Sequence, residues 1–176
     1  NGKYLLKIIF FSASLSIVYF LGTGFEEIFI TFSSTILSIF IGLFITSLIF
    51  SFAKFYGSST NGNEETAKEK LWRVQTLNFI RQFGYITGYT VVLAIFCLFL
   101  LMLSVLFMNE LGVNFLELSF KRSEISIDNI KLFIRTLFCI IQRTLVIYLI
   151  LRVLYNSLFI VSSMVNFMIV KINRDD

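Results

Sequence analysis

Apolar residues in this chain come in long runs separated by short polar intervals. The clearest run covers residues 82–109, where no side chain is charged. A helix of about 20 apolar residues matches the roughly 30 Å hydrocarbon core of a bilayer. Comparable runs recur on either side, so the pattern predicts four transmembrane helices at about 4–21, 28–52, 85–108 and 145–170. The expected fold is all-α, one four-helix transmembrane domain over residues 1–176 with a long final helix, assembled as an oligomeric bundle. A cytoplasmic loop at 53–84 and an outer loop at 109–128 complete it.

The polar intervals carry patterns of their own. Residues 71–83 read as a surface helix leading into the third span. Gln75, Asn78 and Gln82 share one face of it, and Trp72, Thr76, Phe79 and Phe83 share another. In the outer loop, Leu116, Leu118 and Phe120 alternate with polar residues. Ile125 and Ile127 do the same beyond Arg122-Ser123-Glu124, which suggests a small β-hairpin. Asp128 is the expected N-cap of the final helix. From 129 to 171 that helix would be about 64 Å long, twice the hydrocarbon thickness. It either projects beyond the bilayer or breaks near Arg143 or Arg152.

Charge sets the orientation. Nine Lys and Arg lie in the N-terminal segment, the middle interval and the C-terminal tail, against Lys121, Arg122 and Lys131 on the other side, with Arg135, Arg143 and Arg152 of the final helix left out of the count. The positive-inside rule therefore places both termini in the cytoplasm. Lys3 and Lys7 ahead of the first run would also fit a secretory signal. Gly22-Thr23-Gly24 is a poor match to a cleavage site, so a retained first span is expected.

Composition narrows the chemistry. Hydrophobic residues make up 57% and charged residues 15%, well below the 25% or so of soluble domains. Mean hydropathy is +0.85. The absence of proline among 176 residues predicts long, unkinked spans. The absence of histidine removes histidine bases and histidine-ligated metals. Cys97 and Cys139 sit in apolar runs and suggest neither a disulfide framework nor a metal site. With no phosphate loop, nucleophile motif or intramembrane carboxylate, we expect no enzyme activity, cofactor, metal site or catalytic residue. The net charge of +4 reflects topology, and no direct nucleic-acid contact is expected.

Four groups of residues are candidates for function. On the final helix Arg152, Asn156, Ser163 and Asn166 share one face, as a pore lining or as hydrogen-bonding glue between helices. Arg135, Gln142 and Arg143 form a possible outer basic cluster that pairs with acidic loop residues or lipid phosphate, or attracts anions. Thr31, Thr35, Ser38, Gly42 and Thr46 make a small-residue packing stripe on the second span, and Gly84 and Gly88 form a GxxxG at the start of the third. Glu64, Glu65, Lys68, Gln75, Asn78 and Gln82 are candidates to bind a partner. Two functions follow. One is an oligomeric membrane sensor or anchor that recruits a cytosolic protein through the middle interval. The other is a pore-forming ion-channel effector lined by the final helix.

Four spans in a short chain, both ends inside, a Phe/Ile/Asn/Lys bias and no enzymatic motif resemble the membrane subunits of bacterial anti-phage defence systems, the Kiwa system in particular. The resemblance covers the layout from residue 4 to 170 and transfers no functional residue. It implies a homotetrameric sensor of infection in the bacterial inner membrane, with a cytosolic DNA-binding partner.

Overall fold

The computed structural model describes residues 2–22, 25–57, 67–107 and 127–175. These form four helices: α1 (Gly2–Leu21), α2 (Glu27–Gly57), α3 (Ala67–Leu106) and α4 (Ile127–Asp175). All four contain stretches long and apolar enough to cross a membrane. No strand occurs among the described residues. Most of the expected hairpin, residues 116–126, lies outside them, as do Glu64 and Glu65.

Local chemistry explains the elements. In hydrocarbon every backbone polar group needs an internal partner, which the α-helix supplies. Hydroxyls in these helices fold back on the preceding turn. Ser14 donates to the Phe10 carbonyl at 2.7 Å, Thr46 to Gly42 at 2.8 Å and Thr90 to Ile86 at 2.8 Å. Such residues can therefore sit at lipid depth with their donors satisfied. α1 stops at Gly22, whose φ of 36° lies in the left-handed region that glycine adopts without a Cβ clash. α2 opens on Glu27, favourably placed at the positive end of the helix dipole.

Two boundaries differ from the sequence pattern, and the continuity of the final helix decides between two alternatives it left open. The segment 71–83 is no separate surface helix, because α3 runs unbroken for 40 residues, about 60 Å. α4 is likewise one helix of 49 residues, about 74 Å. Finally, α4 already includes Ile127 and Asp128. Asp128 therefore sits inside the first turn, not at the cap, and residues 127–128 are helical where alternation suggested a strand.

The chain divides into two compact units. The first comprises Asn1–Leu37 and Ile95–Arg152. Its interior holds Val18, Leu37, Leu101 and Val146, with Cys97 and Cys139 fully buried and not joined in a disulfide. The Cys97 thiol points to the Val146 carbonyl at 3.9 Å, which brings α3 against α4. The second unit comprises Ser38–Ala94 and Val153–Asp176. Its core is Phe44, Phe83, Val91 and Ile160, lined by Phe40, Ile41, Phe79, Ile86 and Met164. Large apolar side chains such as Phe99, Val92 and Leu158 stay exposed on the outside. That pattern suits a lipid solvent, since in water so much exposed apolar surface would drive association.

Candidate functional site

In the first unit, Gln142 is buried and its amide crosses to α3. Nε2 donates to the Leu100 carbonyl at 3.3 Å and to Ser104 Oγ at 2.5 Å. Ser104 Oγ in turn donates to the Leu100 carbonyl at 3.0 Å, so the three groups form a closed set. Arg143 is buried too, only 2% exposed, and its guanidinium donates to the Gly22 carbonyl at 3.5 Å. That carbonyl belongs to the C-terminal end of α1, where backbone acceptors are unpaired and the helix dipole is negative. A cation there contributes about 0.3–1 kcal/mol, and up to about 2 in buried geometry. Arg135 is exposed. The three residues read as one outer cluster are thus split between a helix-to-helix clamp, a helix cap and a surface position. Ser104 and the Gly22 carbonyl, the groups that receive these side chains, have no marker in the sequence beyond being polar in or beside an apolar run.

In the second unit, α3 and α4 enclose a cleft of about 430 Å³. One wall is the face of α3 bearing Trp72, Thr76, Phe79 and Phe83, and the other is α4 from Phe159 to Phe167. Phe167 stacks on Phe79, with ring centroids 4.4 Å apart and planes at 4°. It also lies parallel to Trp72 at 6.5 Å and 9°. Aromatic pairs contribute about 0.5–1.5 kcal/mol beyond their area. Gln75, Gln82, Ser163 and Asn166 supply the polar lining, and among the described residues no charged one takes part. Gln75, Gln82 and Asn166 are exposed and Ser163 is half-buried. The Thr76 hydroxyl is buried with no hydrogen-bond partner. The volume falls within the 300–1,000 Å³ typical of ligand pockets.

The structure therefore joins residues that the sequence offered as separate candidates. Ser163 and Asn166 from the α4 stripe line the same cleft as Gln75 and Gln82 from α3. Asn78 is exposed and does not line this cleft, Asn156 is buried in the second unit's interior, and Arg152 is half-buried in the first unit. Lys68 lies in the first turn of α3. Phe167, which closes the aromatic stack, directly follows Asn166 but gave no signal against the many other phenylalanines. Along α2, Thr31, Thr35, Ser38, Gly42 and Thr46 are all exposed, and nothing lies within 4 Å of a Cβ built on Gly42. The two glycines of the GxxxG pair differ. A Cβ on Gly84 would meet the Phe52 ring at 3.4 Å, whereas Gly88 faces open space.

No family model, curated protein or solved structure matches this chain.

Proposed function

We propose that the protein is an oligomeric integral-membrane sensor or anchor that receives a segment of a cytosolic partner in the α3–α4 cleft. The reading rests on one juxtaposition: three near-parallel rings beside three exposed amides, with no charge among them. Flat apolar surface flanked by neutral donors and acceptors suits an uncharged peptide segment with an apolar anchor, in the manner of interface hot spots. The cleft straddles the point on α3 where charged residues end at Arg81 and the apolar run begins. A soluble protein can reach that depth. The concentration of Lys and Arg on this side supports a cytoplasmic location for it. The exposed small-residue stripe of α2 is the surface through which copies associate. Anti-phage defence is the context in which the layout fits best.

Asn156 favours this reading over the pore: although it is one of the residues offered as a pore lining, its side chain is buried within the second unit.

A photo-crosslinking residue at position 166, with a control at lipid-facing Phe99, tests the proposal. One soluble protein should be captured at 166 alone, and the paired substitution Gln75→Ala/Gln82→Ala should abolish the capture. Absence of any such product, together with a steady ion flux in vesicles that Asn156→Leu removes, would replace the sensor with the pore.

A further inference from the structure

A second groove in the second unit, about 800 Å³, opens along α3 beside Phe52 of α2. Asn78, Arg81, Gln82 and Tyr85 recur along it at spacings of 3, 1 and 3, which puts them on one side of the helix. All four are exposed. Among the described residues no ion pair or hydrogen bond is assigned to Arg81. Phe52 lies against Gly84, where the lack of a side chain lets the ring approach, and with Ile86 it gives the groove an apolar lower wall.

The order of these groups along the axis is informative. Upstream of the groove α3 carries Lys68, Glu69, Lys70 and Arg73, and after Arg81 it carries no charge as far as Leu106. Arg81 is thus the last charge before the apolar run, and Tyr85 is one turn further in. Four residues of helix rise about 6 Å. That matches the depth of a headgroup layer, since a bilayer of about 40–45 Å has a core of about 30 Å. Tyrosine is enriched at this level, with its ring in the interface and its hydroxyl toward water. The groove therefore offers a cation, two amide donors and a phenol at phosphate depth, with an apolar wall continuing toward the acyl chains.

From this arrangement we infer that the groove is a binding site for the phosphate of an anionic membrane phospholipid. Arg81 contacts the phosphate oxygens, Asn78 and Gln82 donate to the remaining oxygens or the glycerol hydroxyls, and Phe52 and Ile86 flank the chains. The groove shares Gln82 and Ile86 with the aromatic cleft, whereas Arg81, on which the test turns, lines the groove and not the cleft.

Native mass spectrometry of the full chain, released from detergent with added phosphatidylglycerol or diacylglycerol, provides the test. Arg81→Gln should lower phosphatidylglycerol retention about fivefold, the equivalent of the roughly 1 kcal/mol that one basic residue supplies at an anionic surface. It should leave diacylglycerol retention unchanged. Arg73→Gln, which removes the same charge from an exposed site outside the groove, should have little effect. Equal retention by wild type and Arg81→Gln, or an equal loss in Arg73→Gln, overturns the site. Displacement of the lipid by millimolar inorganic phosphate would make a free anion the ligand and overturn the lipid assignment. Because Arg81 is exposed, the circular dichroism and thermal midpoint of Arg81→Gln should match wild type, so a loss of retention reports binding.

Discussion

Replacing Gln142 with leucine tests whether the polar groups of α4 hold helices together or line water. The side chain is 7% exposed and donates to two acceptors on α3, Leu100 O and Ser104 Oγ. Interhelical hydrogen bonds within membranes average about 0.6 kcal/mol, with a maximum near 1.7. Two such bonds give an expected loss of about 1.2 kcal/mol for Gln142→Leu. The loss stays small because neither acceptor is stranded: Ser104 Oγ still donates to the Leu100 carbonyl at 3.0 Å. Leucine also keeps most of the volume. Gln142→Ala should lose more, by about 2 kcal/mol, because it leaves a void as well. The direct measurement is a double-mutant cycle of Gln142→Leu with Ser104→Ala, read from reversible unfolding in mixed micelles by far-ultraviolet circular dichroism. The expected coupling is about 0.6 kcal/mol and no more than 1.7. A coupling indistinguishable from zero, accompanied by a change in vesicle ion flux, would refute the clamp and mean that the amide faces a lumen.

The glycines divide by their surroundings. Gly84→Ala should be close to neutral, since helix propensity favours alanine by about 1 kcal/mol and Phe52 must give slightly. Gly84→Leu should destabilise by about 1–3 kcal/mol through overpacking, as measured by the same unfolding assay. Gly42→Leu should leave the unfolding of the single chain unchanged but lower the oligomer mass in detergent, because its open side is the proposed contact between copies. An unaltered mass would remove the α2 stripe from the assembly. Trp72 is the only tryptophan, so its emission reports the cleft directly. Phe167→Ala should shift and broaden that emission and weaken partner capture, and an unchanged spectrum would mean that the Trp72–Phe167 stack is not formed in solution.

The four helices were legible because lipid-length apolar runs have few other uses. The continuity of α3 was not. Residues 67–83 mix Arg73 and Arg81 with Trp72 and Phe79, a composition that suits an interfacial helix as well as an extension of the span. Contact with Phe167 on α4, which lies far away in sequence, marks the difference. The amide and aromatic faces of that segment could be read from spacing, and so could the Ser163 and Asn166 stripe. Their convergence on one cleft is a tertiary fact that periodicity cannot carry. Gln142 and Arg143 mislead for a related reason. Adjacent positions differ by 100° around a helix, so a reader expects at most one of them inside. α4 packs against α3 on one side, and the Gly22 carbonyl of α1 lies on another, so both residues are enclosed.

The bond from Arg143 to Gly22 spans 121 positions of sequence. At about 5–20 residues per second, a ribosome needs roughly 6–24 seconds to travel that distance. The first helix therefore enters the bilayer well before the group that caps its end has been made. During that interval its final carbonyls depend on interfacial water or on the insertion machinery. Nascent chains halted before residue 143 should be the preferred substrates of membrane proteases, and completion of the last helix should be the step that confers resistance.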